Sequence, residues 1–145
     1  MNADRIIADV SLWQAALDGR LGPRQVIFGQ LRQQGRLVAP PSVFGRLLDL
    51  IDRPEQRETV RVWAVDTPTL VEGVGAWLAA GDLGAHLRQK GVDLDGFGQL
   101  VAAVAVREAL PVWTLDPRWE AVVKHLPIRR FDPGAPETSP FVHGR

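Results

Sequence analysis

Two acids in this chain stand where a parallel sheet presents groups to a ligand. Asp9 closes a short apolar run at 5–9 (RIIAD), and Asp116 follows another at 111–115 (PVWTL). If both runs are strands of an open parallel sheet, their carboxyl ends border the crevice in which such sheets bind ligands. Other chemistry-bearing residues are less well placed. Ser11 has no histidine base set near it by sequence, so it reads as a helix cap rather than a nucleophile. His86, His125 and His143 fall on different elements without metal-ligand spacing and read as surface residues. The absence of cysteine excludes disulfides, zinc ribbons, iron–sulfur clusters and thiol nucleophiles. Gly73, Gly75, Gly81 and Gly84 follow no strand, so they form no phosphate loop and read as sites of close helix packing or helix ends. Trp63, Trp77, Trp113 and Trp119 read as core or interface. Arg53, Arg57 and Arg61 recur every four residues, as on a solvated helix face.

The elements that must position the two acids alternate between apolar runs and amphipathic stretches, the pattern of an α/β layer protein. After the first strand, Ser11 is expected to cap a helix to Asp18, ended by Gly19. Gly22-Pro23 opens a second helix that Gly35 stops. A second strand at 37–39 breaks at Pro40-Pro41, and Ser42 is expected to cap a third helix carrying Val43, Phe44, Leu47, Leu48 and Ile51. After a polar turn or short helix at 53–58, the alternation of Val60, Val62, Ala64 and Val65 predicts a third strand. Thr67-Pro68 is expected to open a helix through Ala80, and Asp82 a separate one to Lys90. A buried helix follows at 97–109, then the strand at 111–115, a helix at 117–125 and an edge strand at 128–131. Helices between strands require mostly parallel pairing.

The bulk properties agree with one domain. The chain has 145 residues, 46% of them hydrophobic, with seventeen basic residues cancelling seventeen acidic ones. Fifteen of those basic residues are arginine, which keeps its charge when buried. Zero net charge disfavours both a strongly basic nucleic-acid binder and an acidic solvating protein. No apolar run approaches the ~20 residues that span a bilayer. The N-terminus lacks the hydrophobic stretch of a signal peptide, so no membrane association is expected and the expected location is cytoplasmic.

In order along the chain, four segments resemble one family. Asp9-Val10-Ser11-Leu12-Trp13 resembles the opening motif of PIN domains, the small nucleases typified by VapC toxins of toxin–antitoxin pairs. The segment at 37–48 (LVAPPSVFGRLL) resembles that family's second strand, proline turn and following helix. The segment at 91–106 resembles its glycine turn and Ala-rich helix, and 110–119 (LPVWTLDPRW) its last core strand with Thr-x-Asp. The resemblance covers 5–131 and implies a PIN-like three-layer α/β sandwich with a mostly parallel sheet, as a domain over 1–131. The Pro- and Gly-rich 132–145 reads as a mobile tail.

PIN domains hold four acids around Mg²⁺ or Mn²⁺, which activates water for attack on an RNA phosphodiester. Carried over by resemblance, the first acid is Asp9 with Ser11 as companion, and the fourth is Asp116 with Thr114. The second acid falls at Arg46 and the third at Gly98. Two lost carboxylates and an added guanidinium oppose binding of a hard divalent cation. Asp49 or Asp95 could replace a lost acid, although Asp95 also reads as a helix cap and Asp49 as solvated. The expectation is therefore a pseudo-enzyme, without a cofactor, acting as a binding, regulatory or structural subunit. The alternatives are an active Mg²⁺- or Mn²⁺-dependent endoribonuclease of the VapC type and RNA binding without cleavage. Expected partners are a second copy of the chain and a protein such as an antitoxin. The homodimer is expected through Leu12, Val26, Phe28, Phe44, Leu47 and Ile51. Arg46 is expected to reach into the cleft and pair with Asp9, Asp116 or both.

Overall fold

The structure, a computed structural model, describes residues 4–134. Strand β1 (Ile6–Ala8) is the axis of a three-stranded parallel sheet in the order β2-β1-β3. Strand β2 (Leu37–Val38) pairs with it in the register Ile6 to Leu37. Strand β3 (Val112–Trp113) pairs in the register Ala8 to Trp113. Every β1 residue is fully buried although successive side chains point to opposite faces. Both faces of the sheet are therefore covered, which gives a three-layer α/β sandwich. Helices α1 (Val10–Leu17), α2 (Arg24–Gln33), α3 (Pro41–Leu50), α4 (Pro54–Asp66), α5 (Val74–Gln89), α6 (Gly96–Glu108) and α7 (Trp119–His125) supply the layers.

Trp13 fixes α1 against the sheet. Its indole N–H donates to the Ala8 carbonyl at 2.9 Å. Its ring packs on Phe28, Phe44 and Trp63 with centroids 5.5, 5.2 and 5.2 Å away. This cluster ties α1, α2, α3 and α4 together and sets the angle at which the chain leaves β1, and therefore the position of Asp9. At the other side of the core, α5 and α6 pack closely. A Cβ on Gly84 would lie 2.4 Å from the Gln99 side chain. The helix-packing role read for that glycine is the one it has.

Several expected elements are different. Residues 60–65 are not a strand but lie within α4. Val60 and Trp63 are its buried residues, at i and i+3, whereas Val62 and Val65 are 47% and 85% exposed. The period of burial is helical, and Pro54 at the first turn starts the helix. Arg57 is not on a solvated face either: its guanidinium donates to the carbonyls of Leu48 and Ile51 and closes the end of α3. Thr67 follows α4 instead of opening a helix, and Thr69 makes a parallel bridge to Ala39 beyond β2. Helix α5 starts at Val74 and passes through Gly81 and Asp82 without a break. Ser11 is inside α1, and the cap is Asp9. Ser42 is inside α3, where its amide donates to Glu72 Oε1 at 2.6 Å. At 128–131 a single parallel bridge, Arg130 to Val112, stands where the edge strand was expected.

Of the tryptophans read as core or interface, Trp63, Trp113 and Trp119 are buried in the core and Trp77 is 44% exposed. His86 and His125 are exposed. His143 and most of the expected tail, 135–145, lie outside the described residues. No helix among the described residues is long and apolar enough to cross a membrane.

Candidate functional site

Asp9, Ser11, Thr114 and Asp116 meet at the carboxyl ends of β1 and β3, as their sequence positions required. Asp9 is the N-cap of α1 and is 6% exposed. Its Oδ1 accepts the Ser11 hydroxyl at 2.6 Å and the Leu12 amide at 3.1 Å. Its Oδ2 accepts the Thr114 hydroxyl at 2.5 Å. Each hydroxyl oxygen accepts in turn: Ser11 Oγ from the Leu115 amide at 2.9 Å, Thr114 Oγ1 from the Asp116 amide at 3.0 Å. Two side chains thus stitch α1 to the segment after β3. Burial pushes the Asp9 carboxyl above the usual aspartate range. The Ser11, Thr114 and Leu12 donors hold it down in part, and the nearby negative charge of Asp116 adds to the rise.

Asp116 is neutralised by a residue that sequence reasoning passed over. The Arg118 guanidinium forks onto it, with Nε 3.0 Å from both carboxylate oxygens and Nη2 2.6 Å from Oδ2. The Arg118 amide adds a bond to Oδ1 at 3.0 Å, and Nη1 donates to the Asp93 carbonyl at 3.2 Å. Partial burial raises the Asp116 carboxyl, but the Arg118 side-chain and amide bonds and its charge outweigh this and leave it below the usual range. The signal was present in the sequence as Asp-Pro-Arg, a tight turn that returns the third side chain onto the first.

Arg46 does not make the expected bridge. Its Nη1 pairs with Asp49 Oδ2 at 2.8 Å, one helical turn along α3, and its guanidinium lies over the Phe97 ring at 5.5 Å. A partner at i+3 on the same helix and an aromatic face engage the guanidinium instead. Asp49 is thereby engaged and exposed. Asp95 caps α6, accepting the Gly98 amide at 2.7 Å. Gly98 is closed to a side chain: a Cβ there would lie 2.8 Å from Cγ of the buried Leu94 and 3.0 Å from Asp95 Oδ1.

These groups surround a cleft of about 190 Å³ whose wall includes Asp9, Arg46, Asp95, Phe97, Asp116 and Arg118. The donor set does not fit a divalent cation. Among the described residues no three of His, Asp or Glu are grouped to hold a metal. Both Asp116 oxygens are occupied by a guanidinium, and three protein donors occupy Asp9. Mg²⁺ and Mn²⁺ need several free oxygen ligands. What the cleft offers is a buried acid, a neutralised acid and an aromatic wall beside a second arginine. No protein-family model matches the chain, and no curated protein matches it in sequence.

Proposed function

We propose that the chain is a PIN-like domain that acts by binding, as a regulatory or structural subunit, and not by metal-dependent cleavage of RNA. The observation that carries this reading is the Arg118 fork on Asp116. A charge-assisted pair of this geometry occupies the place where a divalent ion would need a free carboxylate. The ion would have to displace a guanidinium that stays protonated at any physiological pH. The order of the four PIN-like segments and the parallel sheet that joins their acids support the family assignment.

The endoribonuclease alternative has one observation in its favour, the presence of Asp95 on the cleft wall with Asp9 and Asp116. Calorimetry with Mn²⁺ decides between them. The binding reading expects no saturable heat at millimolar Mn²⁺ and no metal-dependent cutting of single-stranded RNA. Tight Mn²⁺ binding with cleavage that Asp9→Asn abolishes would establish the nuclease instead. RNA retention that is strongly salt-dependent but without cleavage would favour a nucleic-acid ligand for the same cleft.

Self-association belongs to the same proposal but changes its surface. Of the six side chains expected at a dimer interface, Leu12, Phe28, Phe44, Leu47 and Ile51 are buried in the protein's own core, and only Val26 is exposed. Among the exposed apolar residues, Val74, Trp77 and Leu78 fall together on one face of α5, with Val71 just before it. A second copy of the chain is the proposed occupant of that ridge.

A further inference from the structure

A second cavity, of about 340 Å³, shares no wall residue with the cleft. Arg24, from the first residue of α2, and Arg130, from the segment that bridges β3, both line it. Among the described residues neither guanidinium has a carboxylate partner. Arg24 donates its Nε to the Leu21 carbonyl at 3.0 Å. Arg130 reaches the Thr114 carbonyl with Nη2 at only 3.5 Å, and its Nε is buried with no hydrogen-bond partner. The acid on the wall, Asp132, already accepts the Gly134 amide at 2.8 Å.

A buried N–H of a permanent cation, left without an acceptor, is unfavourable unless a ligand supplies one. Two guanidiniums against one carboxylate leave the wall cationic, so the missing group is an anion. We propose that this pocket binds a phosphate group, either free or at the end of a small molecule. A phosphate monoanion matches the net charge of two guanidiniums and one carboxylate, and its several oxygens can accept from both planar forks, which a single carboxylate does less fully. The cavity volume lies within the usual range for small-molecule sites. This inference is independent of the reading of the cleft, because it uses none of the cleft residues except the backbone of Thr114.

Isothermal calorimetry with inorganic phosphate, at ionic strength held constant with chloride, tests it. The wild-type protein should bind phosphate saturably and show a matching rise in Tm. Arg24→Gln and Arg130→Gln should each weaken binding by about tenfold or more. Arg118→Gln, in the cleft, should leave it unchanged. Arg24 is only partly buried, so its variant carries the test should Arg130→Gln fail to fold. Phenyl phosphate distinguishes the two sources: tighter binding than inorganic phosphate identifies an organic phosphate, and equal binding identifies the free ion. No saturable binding in the wild type, or binding lost in Arg118→Gln and kept in the other two, overturns the proposal.

Discussion

Asp9 and Asp116 share a cleft, yet their environments move them in opposite directions. For Asp116 the folded carboxyl lies below its unfolded value. Its contribution to stability is present above the unfolded value and is lost as pH falls through the folded one. For Asp9 the folded carboxyl lies above. Between the ordinary aspartate value and that raised one, the folded state keeps a proton that the unfolded state has released, so stability declines as pH rises through the window. Carbon-13 NMR of the side-chain carboxyls should show Asp116 titrating below the ordinary range and Asp9 above it. In Arg118→Gln the Asp116 midpoint should move up; an unmoved midpoint would show that the fork is not formed in solution. Thr114→Val removes one donor to buried Asp9 and the acceptor of the Asp116 amide. It should destabilise the fold by roughly 1–3 kcal/mol in denaturant unfolding. Both acids were legible in the sequence because strand ends fix their place whatever the side chains around them do. Their counter-charge was not. Arg46 stands where the resembling family has an acid, and that position alone does not reveal that Asp49 and Phe97 compete for the guanidinium. Surface ion pairs of that kind contribute little, so Arg46→Ala should cost under about 1 kcal/mol.

At the scale of elements, the sequence identified β1, β2 and β3 because each is a short β-branched or aromatic run between turn residues. Gly35 and Gly91, with φ of 68° and 78°, end their helices as a left-handed position requires. The strand assigned to 60–65 failed because V-x-V-x-A-V satisfies a period of two, while Val60 and Trp63 also satisfy a helical one. Pro54 and the Arg57 bonds to the end of α3 decide for the helix, and the latter are tertiary. The two patterns differ in which valine matters. Val60→Ala should cost about 1.5–3 kcal/mol, whereas Val62→Ala, on the exposed side, should stay within about 0.5 kcal/mol. A strand would make both costly, since Val60 and Val62 would share one face. Gly98 gives a second element-scale test. Introducing an acid as Gly98→Asp pushes a side chain into Leu94 and the Asp95 cap, so it should lower stability by roughly 1–3 kcal/mol and not create a metal site. The tight start of α6 therefore opposes any side chain at this position, an acidic one included.

For the whole molecule, the apolar residues of α2 and α3 that looked excessive for one small sheet are consumed by the Trp13 cluster, which packs four helices around one indole. What the sequence did not reveal is that α5 is a single helix long enough to leave an apolar ridge in water. Val74, Trp77 and Leu78 fall at i, i+3 and i+4, and the Trp77 ring continues to Phe97 on the cleft rim with centroids 6.5 Å apart. With Val71, the ridge exposes on the order of 400–500 Å² of mostly apolar surface, within the range of the largest patch on an ordinary monomer. A standard interface needs about 800 Å² from each partner. The ridge supplies about half of that, and two copies can pair it only about a two-fold axis, where the same patch faces itself. The expected dimer is therefore weak and exchanges with monomer at micromolar concentrations. Sedimentation velocity between about 5 and 200 µM should show the mass rising towards that of a dimer. Leu78→Glu places two carboxylates across the axis and should hold the protein monomeric throughout that range, with its Tm little changed because Leu78 is two-thirds exposed. Val26→Glu, on the α2 surface first expected to pair, should leave the mass profile as it is. A wild-type chain that stays monomeric at 200 µM, or a dimer that Val26→Glu breaks and Leu78→Glu does not, would remove α5 as the contact.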